Sequence, residues 1–207
     1  MLEKKRGLIL VISAPAGAGK TTLCKRLLQV SPSFTYSVSF TTRPPRKNEI
    51  EGVDYYFVSR EEFEKMIEEE AFLEWAGVHG QLYGTSVKLL DRAIEGEKDV
   101  VLEVDVKGGK KIKKKYPEAI LIFVVPPSWE ELRERLKGRA TEDAEKIKQR
   151  LIRAKKEVKF FRFYDYFIIN DGINKALQDL LAIINAERCR VNRISKISYK
   201  KINHQEH

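Results

Sequence analysis

A glycine-rich segment near the start of the sequence has the residue types that bind phosphate groups. Residues 14–22 follow an apolar run and precede a segment with helical periodicity. Gly17 and Gly19 allow a tight backbone whose successive N–H groups point at a phosphate, where the amino terminus of the helix adds partial positive charge. In this pattern Lys20 bridges the β- and γ-phosphates of a nucleotide, and the Thr21 hydroxyl coordinates Mg²⁺. The predicted loop for ATP consists of Ala14, Pro15, Ala16, Gly17, Ala18, Gly19, Lys20, Thr21 and Thr22.

The first position of this loop departs from the usual motif. Ala14 stands where the first glycine is expected. The alternative is an ordinary turn between a strand and a helix. Gly17 two residues before Gly19, the buried strand before the loop and the helix after it favour the phosphate-binding interpretation.

A second acidic element follows another apolar run. Residues 100–105 read Val-Val-Leu-Glu-Val-Asp, so Glu103 and Asp105 stand at the end of a predicted strand. Many strands end in a carboxylate, and the segment alone would be read as the start of a turn. Beside a phosphate-binding loop, it is typical of the carboxylates that hold Mg²⁺ together with Thr21.

Two arginines flank a rigid pair of prolines. Arg43 and Arg46 lie three residues apart around Pro44 and Pro45, which stiffen the backbone and prevent a helix. Two preorganised guanidinium groups suit a phosphate dianion. The alternative is a surface loop with both arginines in solvent, and this segment taken alone favours that alternative.

The elements that would position these residues indicate an α/β fold. Strand-like apolar runs occur at 8–13, 100–104, 120–125 and 166–169, and helical periodicity follows each of them. The runs are almost continuously apolar, which is typical of parallel strands buried on both faces, and ligands then bind at their carboxyl ends. Ser59 and Ser128, each three residues before a glutamate, predict helix starts, whereas Gly96 and Gly138 predict helix ends.

Composition narrows the function classes only moderately. The 39 Lys and Arg against 30 Asp and Glu give a net charge of +9, which suits a nucleic-acid binder or an enzyme with polyphosphate substrates. The basic run 110–115 is interpreted as a solvated helix face. Two cysteines and three histidines in no ligand pattern predict neither disulfides nor a Cys or His metal site. The apolar run at 8–12 is too short for a membrane span, so we expect a cytoplasmic protein without nucleic-acid or membrane partners.

Several separated motifs resemble the guanylate kinase family from residue 8 to about residue 188. They begin with Ser-Ala-Pro-x-Gly-Ala-Gly-Lys at 13–20 and the Ser-x-Thr-Thr-Arg-x-Pro-Arg segment at 39–46. The remaining motifs are Gly-Val-Asp-Tyr-Tyr-Phe-Val at 52–58, Phe-Leu-Glu-Trp-Ala at 72–76, Tyr-Gly-Thr at 83–85, Asp105 with Gly108, Pro-Pro-Ser at 126–128, Arg-Leu-x-Gly-Arg at 135–139 and Ile-Asn-Asp at 169–171.

The resemblance implies a fold and a reaction. It implies a P-loop type parallel sheet flanked by helices, with a small β-rich GMP-binding insertion and a mobile lid, and transfer of the γ-phosphoryl group of ATP to GMP or dGMP with Mg²⁺. Its segments would be a core of residues 1–33, 86–137 and 160–190, a GMP-binding region at 34–85, a lid at about 138–159 and a tail at 191–207. The oligomeric state stays open.

The resemblance also implies roles for individual residues. The GMP phosphate would be held by Arg43, Arg46, Tyr55 and Tyr83, and the guanine base would be read by Ser39, Glu74 and Thr85, with Asp105 also in contact with GMP. The lid would bring Arg135, Arg139 and Arg150 to the reacting phosphates, and Asn170 would contact ATP. Glu103 stands where the family commonly has aspartate, which leaves open how Glu103 and Asp105 divide the contacts to Mg²⁺ and GMP.

The chemistry of guanine agrees with these roles. Guanine presents N1–H and N2–H₂ as adjacent donors, and a carboxylate at position 74 accepts both, whereas adenine has an acceptor at N1. No general base is identified, and none is required, because the GMP phosphate is largely a dianion at pH 7. The alternatives are a non-catalytic guanylate-kinase-like interaction module, a kinase for another acceptor and, for Arg135 and Arg150, ordinary surface ion pairs. The intact loop and Glu74 favour a GMP kinase.

Overall fold

The structure is a computed structural model that describes residues 7–78, 80–96, 98–138 and 144–193. In this part of the chain, the strands form two sheets. The strands are β1 (Ile9–Ser13), β2 (Phe34–Tyr36), β3 (Ser39–Thr41), β4 (Tyr55–Phe57), β5 (Phe72–Val78), β6 (Gln81–Ser86), β7 (Asp99–Glu103), β8 (Ile120–Val125) and β9 (Tyr166–Ile169). The α-helices are α1 (Lys20–Val30), α2 (Arg60–Glu68), α3 (Val87–Glu95), α4 (Val106–Lys115), α5 (Trp129–Lys137), α6 (Ala144–Val158) and α7 (Ile173–Arg188), and two 3₁₀ helices span Lys159–Phe163 and Val191–Arg193.

The larger sheet has the strand order β2–β7–β1–β8–β9, and every neighbouring pair is parallel. All residues of β1 and β8 are buried, because helices cover both faces of the sheet. One face packs against α1 and α7, and the other against α3 and α4. The predicted parallel sheet flanked by helices is therefore confirmed, with the four predicted strands displaced by at most one residue.

The smaller sheet has the order β4–β3–β6–β5 and lies in the chain between β2 and α3. Within it β3 and β4 are parallel, whereas β6 is antiparallel to both β3 and β5. The β-rich insertion was predicted to start at residue 34, but β2 pairs with β7 in the larger sheet, so the separate sheet starts at Ser39. Phe34 is buried in the core beside α1 and α7, and a three-residue strand carries too short a pattern to reveal this.

The helix boundaries agree with the capping signals. Ser59 and Glu62 form the predicted reciprocal pair at the start of α2, and Ser128 Oγ accepts a hydrogen bond from the backbone N–H of Glu131 at the start of α5. Gly96 and Gly138 are the C-caps of α3 and α5. The basic run at 110–115 lies on α4, as predicted.

The segments predicted as lid and tail are described only in part. The lid prediction at about 138–159 contains α6, but residues 139–143 lie outside the described residues, and so does the tail beyond residue 193. Across the described ranges, no helix combines the length and the apolar character that a membrane crossing would require.

Candidate active site

The glycine-rich loop connects β1 to α1 at the carboxyl edge of the larger sheet. Gly17 and Gly19 both have φ of 89°, in the left-handed region that favours glycine, and Gly19 is the N-cap of α1. A Cβ atom at Gly19 would lie 2.3 Å from Asn170 Nδ2, and one at Gly17 would lie 2.9 Å from Leu136 Cδ2. The two glycines thus serve both the backbone conformation and the close approach of neighbouring elements.

Asn170 and Arg135 support the loop from its far side. The buried Asn170 side chain donates a hydrogen bond from Nδ2 to the Ala18 carbonyl at 2.8 Å. Arg135 donates from Nη2 to the Asn170 carbonyl at 3.1 Å and from Nε to Glu131 at 2.9 Å. Arg135 therefore makes the ordinary helix-surface ion pair with Glu131 and, at the same time, lies next to the loop.

Lys20 and Thr21 begin α1 and face the end of β7. Lys20 Nζ donates to the Val104 carbonyl at 3.0 Å and lies 3.9 Å from Glu103 Oε1. Thr21 Oγ1 donates to Glu103 Oε1 at 2.6 Å. Because β1 and β7 are paired neighbours, with Ile12 opposite Glu103, the fold brings the loop and the acidic strand end together.

Asp105 differs from Glu103 in its surroundings. It is the N-cap of α4, where Oδ1 accepts hydrogen bonds from the backbone N–H groups of Lys107 and Gly108. Its Oδ2 lies 3.9 Å from Arg153 Nη2. The carboxylate of Asp105 is therefore committed to a helix terminus and an arginine, whereas that of Glu103 faces the first turn of α1.

Thr21 and Glu103 offer oxygen atoms of the kind that Mg²⁺ prefers. The described residues contain no group of three or more His, Cys, Asp or Glu side chains that could hold a metal ion. Mg²⁺ at nucleotide sites is usually held by one or two protein oxygens, substrate phosphates and waters rather than by a protein cage. The hydroxyl and carboxylate 2.6 Å apart fit that type of site.

A cavity of about 260 Å³ opens above the loop. Arg150 of α6, one of the three arginines expected in the lid, lines it, whereas Arg139 lies outside the described residues. Arg153 and Glu157 also line it and were not predicted; their side chains are joined by a 2.8 Å hydrogen bond. The sequence could have revealed Arg153, because a residue three positions after Arg150 in a helix lies on the same face as Arg150.

A second cavity of about 240 Å³ lies between the two sheets. On one side it is lined by Lys20, Glu103 and Asp105, which also line the cavity above the loop. The opposite side is formed by residues of the smaller sheet, namely Ser39, Tyr55, Glu74, Ala76, Tyr83 and Gly84. Five of the predicted GMP residues, Asp105 included, therefore share a cavity that adjoins the loop.

Glu74 and Thr85 form a buried pair in this region. They are opposite each other in the register of β5 and β6, and Thr85 Oγ1 donates to Glu74 Oε1 at 2.6 Å. Burial raises the pKa of Glu74, and the hydrogen bond from Thr85 offsets this only in part. A Cβ atom at Gly108 would lie 2.7 Å from Glu74 Oε2, so the glycine leaves room for the carboxylate.

The predicted phosphate-binding residues line a larger cleft of about 820 Å³ that adjoins the second cavity. Arg43 and Arg46 are both found there, together with Tyr55 and Tyr83. The guanidinium group of Arg43 lies 5.4 Å from the ring centroid of Tyr55. Burial raises the pKa of Tyr55 to about 12, so its hydroxyl stays protonated and is available as a donor at neutral pH.

Two lining residues of this cleft form hydrogen bonds with predicted site residues but were not themselves predicted. Glu49 Oε1 accepts from Arg43 Nη2 at 2.8 Å, and its Oε2 accepts from the backbone N–H of Arg46 at 2.8 Å. Tyr36 donates from its hydroxyl to Glu103 Oε2 at 3.3 Å. Neither residue belongs to a phosphate-binding pattern in sequence, and only the fold brings them to the site.

Comparisons with known proteins agree with this geometry. The sequence model of the family described as "Guanylate kinase" matches residues 6–187. A guanylate kinase of Caldanaerobacter subterraneus subsp. tengcongensis is 48% identical over 202 residues, which cover 98% of both chains. A guanylate kinase of Halalkalibacterium halodurans is 45% identical over 193 residues, covering 93% of this chain and 95% of the relative.

A solved structure is also similar. The crystal structure of guanylate kinase from Anaplasma phagocytophilum superimposes with a TM-score of 0.76 at 34% sequence identity, covering 93% of this chain and 91% of that one. The family match spans both sheets, the loop and the acidic strand end. With the loop and a second cavity meeting at Lys20, the chain therefore belongs to the guanylate kinase family, a family of nucleoside monophosphate kinases.

Proposed function

We propose that this protein transfers the γ-phosphoryl group of ATP to GMP or dGMP, giving ADP and the corresponding diphosphate. The observation that carries the proposal is the pair of adjoining cavities that share Lys20, Glu103 and Asp105. One cavity is lined by the phosphate-binding loop and the other by a buried carboxylate that suits guanine. Two nucleotides bound in this way would point their phosphates at the same lysine.

The donor side binds through backbone and one lysine. The loop N–H groups and the amino terminus of α1 would hold the β-phosphate of ATP. Lys20 would exchange its contacts with the Val104 carbonyl and Glu103 for the β- and γ-phosphates. Thr21 and Glu103 are the protein ligands we propose for Mg²⁺, with Asp105 next to them, and the ion would neutralise charge on the phosphates.

The acceptor side recognises base and phosphate separately. Glu74, oriented by Thr85, would accept hydrogen bonds from N1–H and N2–H₂ of guanine, and Ser39 would make a further contact to the base. Bringing two donors to a buried carboxylate stabilises its charged form, which burial disfavours. Arg43, Arg46, Tyr55 and Tyr83 would hold the phosphate of GMP in the adjoining cleft.

Catalysis then depends on positioning and charge. A phosphate monoester has a second pKa of about 6, so the acceptor attacks as a dianion and no side chain has to remove a proton. Lys20 supplies positive charge as the phosphoryl group moves in line between the two nucleotides. Arg135, Arg139 and Arg150 are proposed to complete the positive surroundings and to exclude water when α6 and the preceding segment close over ATP.

A coupled assay of ADP formation tests this function directly. With Mg²⁺ and ATP, we expect turnover with GMP and dGMP and at least a hundred-fold lower kcat/KM with AMP, CMP and UMP, because an unpaired buried carboxylate is costly. Comparable rates with AMP would contradict the role of Glu74. Binding of GMP without any turnover would instead favour a non-catalytic interaction module.

A further inference from the structure

The carboxylate of Glu103 is held from two sides. Its Oε1 accepts a hydrogen bond from Thr21 Oγ1 at 2.6 Å and lies 3.9 Å from Lys20 Nζ. Its Oε2 accepts a hydrogen bond from the hydroxyl of Tyr36 at 3.3 Å. The contacts to Thr21 and Lys20 come from the donor side, whereas Tyr36 approaches from β2 at the edge of the sheet.

The sheet explains why Tyr36 can reach this carboxylate. In the parallel pairing of β2 and β7, Tyr36 is opposite Val101, two residues before Glu103 and therefore on the same face. The ring of Tyr36 packs against the buried cluster under α1, which restricts its movement. Its hydroxyl is thereby fixed relative to the end of β7.

Without this contact, the glutamate would have an alternative position. Glu103 lines the cavity above the loop, the second cavity and the larger cleft. Its side chain has three torsions, so the carboxylate can take up several orientations. A carboxylate attached only to Thr21 could rotate about these torsions and turn Oε1 away from the position proposed for Mg²⁺. Tyr36 itself lines the second cavity and the larger cleft, and its hydrogen bond to Oε2 leaves Oε1 to Thr21 and Lys20.

We propose that Tyr36 is a positioning residue that fixes the carboxylate of Glu103 so that Oε1 stays at Thr21 and Lys20. The proposal rests on the proposed function, in which Glu103 and Thr21 hold Mg²⁺. Mutation of a residue that hydrogen-bonds to a metal ligand typically lowers metal affinity or activity roughly ten- to a hundred-fold.

Tyr36→Phe removes the hydroxyl and keeps the ring. We expect kcat to fall about ten-fold and the Mg²⁺ concentration for half-maximal rate to rise by a similar factor. The KM for GMP should stay within about two-fold, because Tyr36 acts through Glu103 rather than on the substrate. A rise in the KM for GMP at unchanged kcat would overturn the proposal, since Tyr36 would then be a ligand of the acceptor.

Tyr166→Phe is the matched control. Tyr166 also donates from its hydroxyl to a glutamate, Glu187 Oε1, at 2.6 Å, but it starts β9 at the opposite edge of the sheet from β2. We expect this variant to change thermal stability and to leave kcat and the Mg²⁺ requirement unchanged. Equal effects of the two variants on the Mg²⁺ requirement would mean that Tyr36 has only a structural role.

A double mutant identifies the residue through which Tyr36 acts. Glu103→Asp shortens the side chain, so that one carboxylate no longer bridges both hydroxyls. In that background Tyr36→Phe should cost less than about two-fold in kcat, because the effects of coupled residues are not additive. A full ten-fold loss in the Glu103→Asp background would contradict the proposal.

A binding measurement separates this proposal from the proposed function. Mg²⁺ should strengthen the binding of a non-hydrolysable ATP analogue to the wild-type protein, and Tyr36→Phe should reduce that gain about ten-fold while leaving Mg²⁺-free binding unchanged. An unchanged gain would overturn the role of Tyr36. Because this readout needs no acceptor, it holds even if the wild-type protein fails to phosphorylate GMP, a failure that would contradict the proposed function alone.

Discussion

The proposed donor and acceptor sides of the site are built in different ways. The centre of the donor side is one continuous segment, residues 14–22, in which we propose that the backbone binds phosphate and both glycines have φ of 89°. The acceptor side consists of side chains that come from β3, β4, β5, β6 and the loop at 43–46. A backbone site recognises what all nucleoside triphosphates share, whereas a side-chain site can distinguish one base from another.

Replacing Lys20 by Ala should give the largest effect and should affect the two sides unequally. Loss of the charge that faces both nucleotides should lower kcat about a hundred- to a thousand-fold. GMP affinity, measured by calorimetry, should change less than about three-fold, because the base and phosphate of GMP have their own ligands. Lys65→Ala, an exposed residue of α2 with an ion pair to Glu69, is the control and should behave like the wild-type protein.

A large loss of GMP affinity in Lys20→Ala would contradict the separation of the site into a donor side and an acceptor side. It would mean that the acceptor is held mainly by the loop lysine rather than by the smaller sheet.

Replacing Glu74 by Gln should affect the acceptor side alone. The amide keeps the shape, but it presents a donor where guanine also presents a donor, so GMP affinity should fall about ten- to a hundred-fold. Affinity for an ATP analogue should stay the same. Glu69→Gln, an exposed change at the end of α2, is the matched control. Unchanged GMP affinity in Glu74→Gln would remove the base-reading role from this residue.

Gly108→Ala tests how the acceptor carboxylate is accommodated. The added Cβ would lie 2.7 Å from Glu74 Oε2, so the carboxylate has to move, and we expect GMP affinity to fall about ten-fold at unchanged affinity for ATP. Gly77→Ala in the smaller sheet meets only Leu82 Cδ2 at 4.0 Å and serves as the control. Equal GMP affinity in both variants would mean that the position of the carboxylate is not constrained by α4.

The smallest expected effect concerns stability and pH. Burial raises the pKa of Glu74 in the folded protein, so the folded state binds a proton more readily than the unfolded chain does. The free energy of unfolding therefore decreases as the pH rises from 4.5, the ordinary pKa of glutamate, to the raised pKa of Glu74. Glu74→Gln has no such cost. Its midpoint of thermal unfolding should exceed that of the wild-type protein at pH 7, by a few degrees at most. The difference should shrink as the pH falls toward 4.5, the ordinary value for glutamate. A difference that is independent of pH would contradict the assignment of the raised pKa to Glu74.

The two sides also differ in how far the sequence predicts them. The loop could be predicted because all its residues are adjacent in sequence and the strand and helix around it have strong periodicity. The larger sheet was predictable for the same reason, except for β2, whose three residues carry no period. The pairing of Glu74 with Thr85 depends on the register of β5 and β6, which residue types alone do not determine.

The other site residues that were not predicted depend on contacts between segments that are distant in sequence. Tyr36 meets Glu103 and Glu49 meets Arg43 only after the chain has folded, and their sequence surroundings carry no chemical signature. Arg153 is different, because its three-residue spacing from Arg150 in the predicted helix could have indicated that both arginines lie on the same face. The resemblance to guanylate kinases supplied the acceptor residues that local patterns could not.

In the proposed function both nucleotides meet at Lys20, and one linked ligand can probe this arrangement. Adenosine joined to guanosine through five phosphates should bind with competition against both ATP and GMP. It should also bind more tightly than either nucleotide, since linking two ligands removes the cost of a second association. We expect calorimetry to give one such molecule per protein, and we expect Glu74→Gln to weaken its binding. Displacement of only one of the two nucleotides, or an affinity no better than that of ATP, would contradict the convergence of the two cavities.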